Sequence, residues 1–357
     1  MKGVRFGLED KGKFHIGVNG KNIKEDFSSD QLFSAIINNL STIADKEDIK
    51  KTIDYIDENI RFSSIFYGLE IHSKTKGKIK DILFIKKPIV DIRLIDSSDM
   101  EKELILRKKI KKIKYISIDV FNKISDYWDE GKNVFDFNIT DLIFIGNKFV
   151  CTQDDIKDID NEIIDNMDNM KFISKGVKPN IEVDRIFDKS NDFFFSEDLM
   201  INYQETKNYI VKPFMYFLYL GNLTDELKLA ISLIEDTGIG GKRSKGYGFF
   251  SHIEFFEKEI LTEANKNSKY YMNLSTYYPL KEEANKIYLY ELERRDGYIY
   301  SMGGQPYKKR KVNIINEGSI FSGLVDGEIL DVTPKGFDNH QVYLYGKPLL
   351  MGIGGGI

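Results

Sequence analysis

The 357-residue chain carries 52 basic and 56 acidic side chains, a formal net charge of −4, with 30% charged and 41% hydrophobic residues. That balance excludes a disordered chain and supplies apolar mass for one large core or two modest ones. A single cysteine, Cys151, excludes an intrachain disulfide framework, and four scattered histidines (His15, His72, His252, His340) form no zinc-ligand pattern. No apolar run reaches the roughly eighteen residues of a membrane span, and the first residues lack the apolar segment of a signal peptide, so a cytoplasmic location without membrane contact is expected.

Val4 to Leu8 reads as an opening strand. Ser28, Ser29 and Asp30 then offer N-cap side chains, with Asp30 read as a cap, and Leu32, Phe33, Ile36, Ile37, Leu40 and Ile43 follow at helical spacing. Phe62 to Ile71 reads as a strand, and Asp81 to Ile89 is apolar. From there to about residue 207 the pattern is irregular and reads as a long insertion. Tyr209 to Leu220 is a dense apolar strand. Thr224 caps a helix whose buried stripe is Leu227, Ala230, Ile231 and Ile234, and Gly238 stops it. Tyr247 to Phe256 reads as a further strand, with His252 inside it. The order is βαββαβ, that of ferredoxin-like folds. Beyond the polar stretch from Glu257 to Ser268, five strand-like segments and one short helical candidate, Leu280 to Asn285, predict a smaller β-rich domain.

The slightly acidic chain has no global attraction for nucleic acid, so any such binding must come from local patches. Residues 107–114 hold six cations in eight positions, Lys308 to Lys311 form another run, and Lys242, Arg243 and Lys245 lie within Gly238-Ile239-Gly240-Gly241-Lys242-Arg243-Ser244-Lys245-Gly246-Tyr247-Gly248. A helix cap and a turn need one glycine; five glycines around Lys242, Arg243, Ser244 and Lys245 fit an anion-binding loop, with backbone N–H groups converging on the ligand and Arg243 placed for bidentate phosphate contact. The loop is not a Walker A motif, because Asp236 and Arg243 stand where Gly and Ser or Thr are required. Nor is it a dinucleotide fingerprint, because it follows a helix instead of opening one.

Five segments in order carry a family resemblance. They are Phe14-His15-Ile16-Gly17 with Ser28 to Ala35; Phe84 to Pro88 with Lys111 to Ser117; Asp184-Arg185; the Gly238–Gly248 loop; and Tyr345 to Leu350. Over nearly its whole length the chain resembles the Csm-type RAMP subunit of type III-A CRISPR effectors. The resemblance implies an α+β fold of two RRM-like domains, here 1–258 with an insertion at about 88–207, and 259–357, degenerate and β-rich. It implies a non-catalytic role with no cofactor or metal, and contacts with the 5′ handle of CRISPR RNA, the large polymerase-like subunit and the RAMP backbone subunit. Gly238, Gly240, Gly241, Lys242, Arg243, Ser244, Lys245, Gly246 and Tyr247 are the expected RNA-binding residues, with Tyr247 a stacking platform and Arg185 a further contact. Two rival readings remain: a precursor-RNA endoribonuclease using His15, and a protein-binding scaffold whose aromatics line interfaces.

Overall fold

The computed structural model describes residues 1–17, 23–95, 100–125, 128–129, 134–138, 142–157, 159–184, 186, 189–257, 268–299 and 307–353. Arg185 lies outside the described residues. Among them the architecture is mixed α+β, and no helix is long and apolar enough to cross a membrane.

A long central sheet organises the chain. Its strands run in the order Leu142–Ile145, Phe149–Thr152, Tyr115–Ser117, Gly77–Lys86, Phe66–Ser73, Tyr209–Leu220, Lys2–Phe6 and Ile253–Glu257. The last four are antiparallel to their neighbours. Tyr209–Leu220 explains its own dense apolar sequence, interrupted by Lys212. Successive side chains alternate between faces, and here both faces are covered. Val211, Met215 and Phe217 join a core beneath the helices, while Phe214, Tyr216 and Leu218 join a second core on the opposite side.

The helical face is built from Ser29–Ile43, Lys46–Asn59 and Asp225–Ser232, which contribute Leu32, Phe33, Ile36 and Leu40, Ile53 and Ile56, and Leu227, Ala230 and Ile231. Ser28 is the N-cap of the first helix, and its N–H donates to the Gln31 side-chain oxygen at 3.2 Å. Asp30 is therefore a first-turn residue and not the cap; its carboxylate pairs with Arg295 at 3.2 Å. The second helix has no counterpart in the periodicity reading, because charged residues fill most of Lys46–Asn59. Asp45 caps it, accepting from the N–H groups of Glu47 and Asp48 at 3.0 and 2.9 Å. Thr224 caps the third, accepting from the Leu227 N–H at 3.3 Å.

The opposite face is covered by the C-terminal region, whose four-stranded sheet runs Ile287–Leu289, Ile320–Phe321, Tyr270–Asn273, Leu350–Ile353. Leu280 to Asn285 is represented by a 3-10 turn over Lys281–Lys286. Direct bonds join this region to the N-terminal part, through the sheet and through the first helix. The Phe62 N–H donates to the Tyr345 hydroxyl at 2.8 Å, and Ser29 and Thr276 share a hydroxyl contact at 2.8 Å.

Residues 88–207 are more regular than their sequence suggests. Tyr115–Ser117, Phe149–Thr152 and Leu142–Ile145 extend the central sheet, and Met100–Lys112 and Ile118–Ser125 are helices. The segment also contains a long antiparallel hairpin, Ile173–Asp184 with Lys189–Ile201. Its second strand pairs with Lys13–Phe14. The strand expected from Tyr247 begins only at Ile253, so His252 precedes it and is exposed.

Candidate nucleic-acid interface

The segment Lys13 to His15 lies between two partners. On one side Phe14 and Lys13 pair with Leu199 and Met200 of the hairpin. On the other, the His15 and Lys13 carbonyls accept from the N–H groups of Gly241 and Gly248 at 2.9 and 2.8 Å. The glycine loop is thereby pressed against the foot of the hairpin, and a groove of about 590 Å³ opens between them.

The loop's shape depends on backbone that L side chains avoid. Gly248 sits at φ +81°, and a Cβ there would lie 2.1 Å from the Ile239 carbonyl oxygen. Gly246 also needs positive φ, at +79°, but an added Cβ would meet open space. Just before Gly246, Arg243–Lys245 forms a 3-10 turn entered through Lys242, itself left-handed at φ 58° and ψ 24°. Left-handed backbone costs a non-glycine residue roughly 1–2 kcal/mol.

Much of the loop's donor capacity is used within the chain. The N–H groups of Gly238, Ile239, Gly241, Lys245, Gly246 and Gly248 all donate to carbonyls of the chain itself. Arg243 donates from Nη1 to the Thr237 carbonyl at 3.2 Å and does not line the groove. Gly238, Gly240, Gly241 and Ser244 are also absent from its walls, whereas Lys242, Lys245, Gly246 and Tyr247 form one side.

The other walls come from residues that the sequence reading passed over: Asp10, Lys11, Gly12 and Lys13, and Lys178, Asn180, Phe194 and Ser196 of the hairpin. Only the fold brings Lys13 and Lys178 together. Lys13 is held below the ordinary lysine value, first by its hydrogen bond with Lys178 and then by that neighbour's charge. Two lysines this close compete for protonation, and an anion between them favours the charged form of both. Phe194 is 48% exposed and offers a ring to the groove. On the opposite hairpin face Val177, Ile181, Phe193 and Phe195 are also exposed.

Asp198 lies at the back of this site with 2% of its surface exposed. Its carboxylate accepts from the Tyr247 hydroxyl at 2.7 Å and from Lys242 Nζ at 3.1 Å, and Lys178 Nζ stands 3.5 Å away. Burial pushes its pKa up, but the hydrogen bonds from Tyr247 and Lys242 and the charges of Lys242 and Lys178 outweigh burial and hold it below the ordinary carboxylate range. Burial, reinforced by Asp198, raises the Tyr247 hydroxyl. Tyr247 is thus a half-buried loop residue, with Lys242 Nζ 5.5 Å from its ring centroid, and not a strand residue in the core.

His15 is 7% exposed, with Nδ1 3.1 Å from the Glu197 carbonyl oxygen. A ring nitrogen facing a carbonyl donates, which fixes the tautomer and holds the imidazole against the hairpin. A Cβ on Gly241 would stand 2.9 Å from His15 Cδ2, so the ring also packs on the loop.

The central sheet, glycine-rich loop and cationic groove fit a protein class, and residues 25–251 match the RAMP superfamily. Residues 266–353 match the CRISPR Csm4 C-terminal domain. A Methanocaldococcus jannaschii protein named CRISPR system Cms protein Csm4 is 31% identical over 98% of this chain and 97% of its own length. A Streptococcus thermophilus protein of the same name is 35% identical over 36% of this chain and 45% of its own. The chain belongs to the Csm4 family of RAMP proteins. A crystal structure of a Csm3–Csm4 subcomplex in the type III-A CRISPR-Cas interference complex is similar over 99% of both chains, with 27% identity and a TM-score of 0.65. A Csm1–Csm4 cassette in complex with cA4 shares the fold, at 18% identity, a TM-score of 0.57 and 99% and 98% coverage.

Proposed function

We propose that the chain is a non-catalytic guide-RNA-binding subunit of a type III-A CRISPR interference complex, and that it holds the repeat-derived 5′ handle in the groove between glycine loop and hairpin. The observation that carries this reading is the convergence of Lys11, Lys13, Lys178, Lys242 and Lys245, from three separate segments, on one groove beside Phe194 and Tyr247. Cations along a groove hold a sugar–phosphate chain, and exposed rings stack unpaired bases without needing a duplex. The role of His15 is structural, since its imidazole packs between loop and hairpin.

The chain bridges the large polymerase-like subunit to the RAMP backbone subunit. Relatives solved with Csm1 and with Csm3 support that assignment. Residues 1–258, with the insertion at about 88–207, form an RRM-like domain, and residues 259–357 form a degenerate second one. In support of the first, the strands Ile253–Glu257, Lys2–Phe6, Tyr209–Leu220 and Phe66–Ser73 lie side by side in the order fourth, first, third, second of a βαββαβ unit.

The test is guide binding by the full chain with Lys13, Lys178, Lys242 and Lys245 all changed to Ala. If each lysine meets one phosphate, the slope of log affinity against log salt falls by roughly 3, and affinity drops about a hundredfold. An unchanged slope in a folded variant overturns the reading.

A further inference from the structure

A groove built only to attract a polyanion has no use for a carboxylate, yet Asp198 stands among its lysines. It belongs to the hairpin, opposite Gly176 across the ladder. Two of its partners, Tyr247 and Lys242, belong to the glycine loop, and the third, Lys178, belongs to the neighbouring hairpin strand. One buried side chain therefore latches the two walls together and aims a phenol and two ammonium groups. The Lys242 backbone is left-handed, a conformation that persists only where surrounding contacts enforce it.

We propose that Asp198 is a positioning residue that sets the groove's selectivity for the 5′ handle over other single-stranded RNA. This inference rests on the handle-binding reading. Free lysine side chains attract any phosphate and must be ordered on binding. Lysines already fixed by a buried acceptor present one arrangement and lose less freedom when the matching strand arrives. The negative charge weakens general attraction, while the latch favours an RNA whose phosphates and bases match the preset spacing. Discrimination of this kind is a difference of affinities, and it improves when the wrong ligand gains less.

The experiment compares two RNA oligonucleotides with the full chain. One carries the repeat-derived 5′ end recovered from guides in the assembled complex; the other is a scramble of equal length and composition. Asp198→Asn keeps the shape and removes the charge. Handle affinity is expected to fall about tenfold, the scale of a lost charge-assisted hydrogen bond. Scramble affinity is expected to stay level or rise, because the groove gains one net positive charge. Tyr247→Phe, which keeps the ring and removes one latch bond, lowers the handle-to-scramble ratio by a smaller factor. It carries the test if Asp198→Asn fails to fold.

A handle-to-scramble ratio unchanged in the folded variants overturns the inference and leaves the groove as an RNA site. Equal loss for both RNAs does the same, because it marks a merely structural carboxylate. A wild-type chain that binds neither RNA overturns the function from which the inference starts, and the inference with it.

Discussion

Among the described residues, two buried carboxylates, Asp198 and Glu25, are each surrounded by lysines, and Asp198 stands behind the groove. Glu25, 7% exposed, has Lys114, Lys148 and Lys175 at 2.9, 3.1 and 4.0 Å. Lys148 and Lys175 also donate to the carbonyls of Ile173 and Ile23. Next to it, Asp26 accepts from Lys86 at 2.6 Å and from the Tyr115 hydroxyl. These cations end on acceptors of their own chain and tie residues 23–26 to the sheet and hairpin. Around Asp198 the same residue types face an open groove in which Lys11, Lys13 and Lys245 add charge. Lysine count does not separate a ligand site from an internal brace; what the ammonium groups face does.

The sharpest way to break the comparison is Glu25→Gln. Removing one partner of a buried pair leaves the others uncompensated, and roughly 2–3 kcal/mol of stability should be lost, less than a fully buried pair because Lys114 and Lys175 are partly solvated. Chemical denaturation measures this, and the salt slope of RNA binding should not move. The pH dependence follows from the same cluster. Burial raises the Glu25 pKa, but the hydrogen bonds and charges of Lys114 and Lys148 overcome it and leave it below its ordinary value. A carboxyl depressed in the folded state contributes stability that is fully present above its unfolded value, about 4, and is lost as pH falls through the lower folded value. Stability measured from pH 6 downward should therefore fall less steeply below about pH 4 in Glu25→Gln than in the wild type.

Next in size, Gly248→Ala should cost about 2 kcal/mol or more, because it adds a collision with the Ile239 carbonyl to left-handed strain, whereas Gly246→Ala should cost about 1 kcal/mol from strain alone. Thermal unfolding of the two variants ranks them; equal losses would mean that the loop does not press on its own backbone at Gly248. The smallest effect is expected from Arg243→Ala. A side chain directed at the Thr237 carbonyl should change RNA affinity less than about twofold, where a groove lysine changes it severalfold. A salt titration of single variants decides whether Arg243 belongs with the groove.

Much of the frame was legible because local signals agreed with the fold. Tyr209–Leu220 matches its apolar run residue for residue, and the Thr224 cap and the Leu227, Ala230, Ile231 stripe need only neighbours in sequence. The helix Lys46–Asn59 was missed although Asp45 and the spacing of Ile49, Ile53 and Ile56 mark it, because its charge masked a narrow apolar stripe. The glycine loop stands out in the sequence as a dense motif, but the surroundings of its donors are not legible there. Six of its amides, and Arg243, donate to carbonyls of the chain itself, and three of the five lysines around the groove are Lys11, Lys13 and Lys178, far away in sequence.

By itself the sequence determined the elements whose causes are local, namely caps, amphipathic stripes, the doubly buried strand and the glycines that allow a left-handed turn, and its motifs in order pointed to the family. Only tertiary structure decided which cations share a groove, which carboxylate latches it and which amides are already used. Those outcomes depend on contacts between separate segments, from Asp198 and Lys242, 44 residues apart, to the far more distant His15 and Gly241, and the choice between solvent, carbonyl and neighbouring charge is made only when the hairpin, the Lys13–Phe14 strand and the loop come together.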